Sequence, residues 1–186
     1  MLHLGDSFVH AGLKQRLTEK LAPFGVHYVV RTEVSTNTVD WSRRVLADVA
    51  GVQPDLVIIT LGANEIGSPW LAAQGRAIRK IVDAVGGRPC VWTTPPLWRE
   101  ETGFFDTLQA NVSPCRFFET DVHVGAYLPR RDTVHPTDEA GVRWADVLFD
   151  YLMAERIGDP EKPWKLAPSP PEELAPRGHR APLPAP

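Results

Sequence analysis

Apolar residues along this chain fall into two alternating patterns. Short runs with almost every position apolar are separated by longer segments in which apolar residues recur every third or fourth position. MLHL (1–4), VHYVV (26–30), DLVIITL (55–61), PCVWTT (89–94) and CRFFET (115–120) read as five strands. DLVIITL is apolar nearly throughout, as a central parallel strand covered on both faces requires. Leu13, Leu17 and Leu21 mark one helix face, and Val45, Leu46 and Val49 mark a second helix. Ile78, Ile81, Val82 and Val85 mark a third, which Gly86-Gly87 ends. A last helix is predicted from about Asp138 to Arg156, with Trp144, Leu148, Tyr151 and Leu152 on its buried face.

Strand–helix alternation of this kind predicts an α/β fold, a parallel five-stranded sheet with helices on both faces. Crossovers are expected to be right-handed. In such sheets ligands bind beyond the carboxyl ends of the strands, so each strand's C-terminal loop is where chemistry is sought. The loops hold, in order, Gly5-Asp6-Ser7, Val34-Ser35-Thr36-Asn37-Thr38, Gly62-Ala63-Asn64-Glu65, Thr94-Pro95-Pro96-Leu97-Trp98 and Asp132-Thr133-Val134-His135-Pro136.

A serine, an asparagine, an aspartate and a histidine therefore converge on one sheet edge, and this set fits acyl transfer. A serine hydroxyl needs a neighbouring base to become nucleophilic. His135 is the candidate base, and Asp132, three residues earlier, is placed to fix its tautomer from the other ring nitrogen. The oxyanion of a tetrahedral intermediate needs donors already aimed at it. Candidates are the Asn64 amide, the backbone N–H of Ser7 and a backbone N–H at Thr36. Blander readings exist for each residue. Ser7 would also serve as an N-cap, Asn64 as a residue tolerant of a left-handed turn, and His10 as a surface or rim residue outside the mechanism. Trp98 and Arg99, above the fourth strand, are the expected substrate contacts, and the insert from Trp98 to Asn111 the expected source of specificity.

The motifs GDS at 5–7, GANE at 62–65 and DTVH at 132–135 together resemble the SGNH (GDSL-like) hydrolase superfamily, over about residues 2–156 and in the family's chain order. The resemblance implies a flavodoxin-like three-layer α/β/α sandwich and metal-free ester hydrolysis or acyl transfer. It carries the nucleophile onto Ser7, the oxyanion amide onto Asn64 and the acid–base pair onto Asp132 and His135. The chain departs from the family pattern twice. VSTNT puts Thr36 where the family supplies an oxyanion-hole glycine, so a side chain is expected to crowd the site. Glu65 stands where the third motif ends in aspartate.

Composition limits the alternatives. Hydrophobic residues are 43% and charged residues 23% of 186, enough for one domain with a single core. A formal net charge of −3 gives no electrostatic case for nucleic acid or an anionic membrane. No apolar run reaches the length of a membrane span, and no signal-peptide pattern precedes the first strand. The remaining histidines His3, His27, His123 and His179 form no metal-binding spacing, so neither metal nor other cofactor is expected. Residues 1–157 read as the hydrolase-like domain. Residues 158–186 are proline-rich and aperiodic and read as a tail, disordered or loosely laid on the domain, with Trp164 an anchor. Cys90 and Cys115 both begin strands, which leaves a disulfide and two buried thiols equally open. A disulfide implies a periplasmic or secreted protein, free thiols a cytoplasmic one. The leading functional expectation is a serine esterase acting on a small acyl ester, such as an acetyl group on a carbohydrate. An O-acyltransferase with the same residues and a catalytically silent glycan- or protein-binding domain are the alternatives.

Overall fold

The computed structural model describes residues 1–185. Five strands, β1 (Leu2–Gly5), β2 (Val29–Thr32), β3 (Val57–Thr60), β4 (Cys90–Thr93) and β5 (Arg116–Phe118), form one sheet. All neighbours pair parallel, in the order β2-β1-β3-β4-β5. This is the flavodoxin-like order, with its switch point beside β1. β3, β4 and β5 are each two or more residues shorter than their apolar runs, because the ladder stops where the chain bends into a loop, while β1 keeps four residues shifted by one and β2 begins three residues later than its run and extends to Thr32.

Among the described residues seven α-helices surround the sheet: α1 (Leu13–Leu21), α2 (Thr38–Trp41), α3 (Val45–Val52), α4 (Leu71–Val85), α5 (Phe104–Asn111), α6 (Thr120–Val124) and α7 (Asp138–Glu155). The pleat sends alternate strand residues to opposite faces. Val57, Ile59 and Trp92 meet Trp41, Val49, Ile78 and Phe104 of α2–α5 in one core. Ile58, Val91 and Phe118 meet Leu13, Leu17, Trp144 and Leu148 of α1 and α7 in the other. The three-layer sandwich follows from β3 and β4 being apolar on both faces.

Within the 98–111 insert, α5 buries Phe104, Phe105 and Leu108. These aromatic residues belong to the core and leave only the insert's first residues near the loops.

Cys90 and Cys115 are disulfide-bonded, with Cα atoms 4.7 Å apart at the amino-terminal ends of β4 and β5. The segment 158–185 runs over the sandwich. Trp164 is buried against the α7 side, and Leu166 forms an isolated bridge with Arg156. Arg116, itself buried, donates to Pro168 O at 2.6 Å and to Glu173 at 2.9 Å. Arg180 pairs its backbone with Glu101 and lies among Glu119, Asp106 and Gln109. Buried arginines thus hold a segment that has no apolar period of its own.

Candidate active site

Strand register brings the first three loops to one edge. Gly5 lies opposite Thr32 of β2 and Thr60 of β3, so Ser7, Thr36 and Asn64 leave the sheet side by side. Directly after β1 the chain folds into a 3₁₀ turn, Ser7–His10. Gly5 is needed there, because a Cβ at this position would meet Val9 Cγ2 at 2.3 Å and Thr60 O at 2.9 Å. The cap of the turn is Asp6, whose Oδ1 accepts from Phe8 N at 3.0 Å. The Ser7 hydroxyl is therefore not spent on capping.

Ser7 Oγ lies 3.0 Å from His135 Nε2 across 128 residues of sequence. His135 Nδ1 lies 3.0 Å from Asp132 Oδ2. The other oxygen, Asp132 Oδ1, accepts the backbone N–H groups of His135 at 2.6 Å and Val134 at 2.7 Å. Those two N–H groups, and after them the imidazole, hold the Asp132 carboxyl down at about 2. The loop is tied at both ends. Arg131 N donates to His135 O at 3.0 Å, and Thr137 caps α7 by accepting from Ala140 N. Phe8 packs against the imidazole with ring centroids 5.3 Å apart.

On the other side of Ser7, Asn64 Nδ2 donates to Thr36 O at 2.8 Å, which leaves its second amide hydrogen free. Positive φ among the described non-glycine residues occurs only at Ser35 and Gln53, so Asn64 is not a left-handed turn residue. The backbone N–H groups of Ser7 and Thr36 donate to no acceptor among the described residues. The crowding expected at Thr36 is corrected by its own hydroxyl. Oγ1 donates to Glu33 O at 2.6 Å and accepts from Trp41 Nε1 at 2.9 Å, which draws the side chain into the protein and buries it.

Two carboxyls lie buried beneath these groups. Asp6 and Glu65 are each 1% exposed, and burial pushes both up to about 7, each against the N–H groups they accept. Glu65 Oε1 accepts Thr38 N at 2.5 Å and anchors the start of α2. Its extra methylene relative to aspartate thus reaches a neighbouring element.

The other predicted contacts stand at the rim. Trp98 Nε1 donates to Ala63 O at 3.3 Å, and Arg99 stacks on Trp98 while donating to Ile66 O. This pair ties the β3 and β4 loops together and makes no hydrogen bond to Ser7, Asp132 or His135. His10 is bound to Thr32 Oγ1 at 2.7 Å.

A cavity of about 340 Å³ opens beside Asn64, between α2 and the start of α4. Gln74 and Trp70, which border it, were not singled out as site residues in the sequence. A signal exists for Gln74, which lies one turn before Ile78 on the apolar stripe of α4, where a polar residue is out of place. A larger cavity, about 580 Å³, lies between the end of α7 and the tail, and no residue of the Ser7 cluster borders it. Among the described residues no group of three or more His, Cys, Asp or Glu side chains is gathered as a metal site, and no helix is long and apolar enough to cross a membrane.

Residues 3–140 match the sequence profile of the GDSL-like Lipase/Acylhydrolase family. The chain belongs to this family. The match takes in the loops of Ser7, Thr36, Asn64 and His135. Solved structures similar to this GDSL-like chain include the psychrotrophic esterase EstA from Pseudoalteromonas sp., at 19% identity, TM-score 0.60 and coverage of 82% of this chain and 96% of that one. TesA matches at 18% identity with TM-score 0.65, over 82% and 97% of the two chains. An acetylxylan esterase from Geobacillus stearothermophilus matches at 17% identity with TM-score 0.64, over 80% and 91%. At these identities the likeness is one of fold, an α/β sandwich shared with GDSL-like hydrolases. No curated protein matches the chain.

Proposed function

We propose that this GDSL-like hydrolase is a serine esterase that forms and hydrolyses an acyl-enzyme on Ser7. The observation that carries the reading is the 3.0 Å contact of Ser7 Oγ with His135 Nε2. His135 takes the hydroxyl proton as Ser7 Oγ attacks the ester carbonyl, and returns it to the departing alcohol oxygen. Water, deprotonated by the same imidazole, then releases the acid. Asp132 positions the ring by accepting from Nδ1 and stabilises the imidazolium that forms. The N–H groups of Ser7 and Thr36 and the free amide hydrogen of Asn64 receive the oxyanion.

The substrate is a small acyl ester. In this reading Trp98 and Arg99, tied to the β3 loop through Ala63 O and Ile66 O, are the substrate contacts that favour a short acyl group such as acetyl. The fold likeness to an acetylxylan esterase supports a carbohydrate as the alcohol. The Cys90–Cys115 bridge supports action in an oxidising compartment, periplasmic or extracellular.

The test is covalent labelling by a fluorophosphonate together with hydrolysis of a short-chain nitrophenyl ester. Wild type is expected to label at Ser7 and to hydrolyse the ester. Ser7→Ala is expected to lose labelling and about 10⁴-fold or more in kcat. A wild-type protein that neither labels nor turns over any short acyl ester would reject the reading.

A further inference from the structure

The cavity beside Asn64 holds polar groups that the acyl-transfer chemistry does not use. Gln74 is 5% exposed, and its side-chain amide makes no hydrogen bond among the described residues. Glu65, which also lines the cavity, has its Oε2 likewise buried without a partner. Folded proteins rarely leave such groups unpaired, since their desolvation is then unrecovered, and a ligand that pairs them repays it. Asn37 and Asp40 cap one another, Asn37 Oδ1 accepting from Asp40 N and Asp40 Oδ2 from Asn37 N, both at 3.1 Å. The Asn37 amide nitrogen and Asp40 Oδ1 remain free. At the rim stands Trp70, 72% exposed, the most exposed large apolar side chain of the described residues.

The chemistry of this lining is selective. Donors and acceptors are interspersed, which suits hydroxyl groups, since each both donates and accepts. No lysine or arginine borders the cavity, so a phosphate or carboxylate finds no counter-charge and would face Asp40 and Glu65. A fatty chain would strand the amide and carboxyl groups. A flat exposed indole covers the apolar face of a sugar ring well. A volume of about 340 Å³ admits one such ring.

We propose that this cavity is a subsite for a neutral sugar ring, with Trp70 covering one ring face and Gln74 and Glu65 bonding its hydroxyls. Because Asn64 borders both the cavity and the oxyanion site, the ring held here is part of the carbohydrate that carries the ester. The inference rests on the esterase reading for its consequence in turnover and stands apart from it for binding.

Two measurements separate them. In the first, neutral xylo-, manno- and gluco-oligosaccharides are titrated into the Ser7→Ala protein, with tryptophan fluorescence and indole NMR signals as readouts. At least one is expected to bind and to shift the Trp70 signal. Affinity is expected to fall at least tenfold in Ser7→Ala/Trp70→Ala and in Ser7→Ala/Gln74→Leu, and a uronate oligosaccharide is expected not to bind. In the second, Trp70→Ala and Gln74→Leu are made in wild type. They are expected to lower kcat/KM at least tenfold on an acetylated neutral oligosaccharide and less than twofold on nitrophenyl acetate. Trp70 is exposed, so its variant keeps the test open if Gln74→Leu fails to fold. Absence of binding by every neutral oligosaccharide, or binding that both variants leave unchanged, overturns the subsite. Sugar binding by a protein with no esterase activity would sustain the subsite and overturn the esterase reading alone.

Discussion

Asp132 uses one carboxylate oxygen to hold its own loop and the other to hold an imidazole. Oδ1 accepts two backbone N–H groups, and Oδ2 faces His135 Nδ1. An asparagine whose carbonyl oxygen takes the place of Oδ1 would keep the loop but present N–H to Nδ1, which forces the tautomer that cannot accept the serine proton. Asp132→Asn is therefore expected to fold with little change in Tm and to lose about 10⁴-fold in kcat. A loss under tenfold, measured on a nitrophenyl ester, would show that Asp132 does not orient His135. Thr36 shows the same economy. Its hydroxyl is consumed by Glu33 and Trp41, which leaves its N–H unbonded among the described residues and spares the site the bulk that the sequence led one to expect.

The elements meet most tightly where α7 crosses the Ser7 loop. Gly141 lies there, and a Cβ on it would fall 1.3 Å from Ala11 O and 2.5 Å from Ala11 C. Only a glycine lets the start of α7 press on the backbone just after the Ser7–His10 turn. Three residues before α7 begins stands His135, so this contact sets how far the imidazole lies from the hydroxyl. Gly141→Ala is expected to cost about 1–3 kcal/mol in stability as the helix is pushed outward. It is also expected to lower kcat by about 10²-fold, since a displacement near 1 Å suffices for that. Gly51→Ala, where an added methyl meets nothing within 4 Å, serves as the control. Equal melting and equal kcat in the two variants would mean that α7 does not set the distance.

Stability of the whole molecule carries the signature of its buried carboxyls. Glu65 is held at about 7 against an ordinary value of 4.5, and Asp6 at about 7 against 3.8, mainly by burial. Each binds its proton more tightly in the folded chain than in the unfolded one. Their stabilising effect is complete below the unfolded values and is lost as pH rises from about 4 to about 7. Tm is expected to fall across that window, and Glu65→Gln, which has no proton to lose, to flatten the fall. A pH–Tm curve of unchanged slope in the variant would contradict this. The tail makes a second whole-molecule statement. Arg180 sits between Glu119 and Asp106, both at 2.8 Å, with Glu101 at 3.6 Å. Arg180→Ala would leave Glu101 and Glu119 buried with fewer counter-charges and is expected to cost about 3 kcal/mol. A urea midpoint equal to wild type would mean that residues 158–185 do not dock in solution.

The sequence alone determined the parallel sheet, the helices α1, α3, α4 and α7 that cover it and the loops at the strands' carboxyl ends, whereas the short helices α2, α5 and α6 carry too little apolar period to be read from it. Those features are written locally, in apolar runs of strand length and in motifs that follow particular strands. The parallel order, the pairing of Ser7 with His135 and the assembly of Asn64 beside Thr36 were reachable because each strand's end points the same way. The loose tail, the crowding at Thr36 and the neglect of Gln74 and Trp70 were local readings of residues whose partners lie far along the chain. Arg180 finds Glu119 across 61 residues, and the Cys90–Cys115 bridge depends on two strands becoming neighbours. Composition and periodicity report which groups must be buried. Only the folded arrangement decides which buried groups find a partner and which, like Gln74, are left facing a cavity.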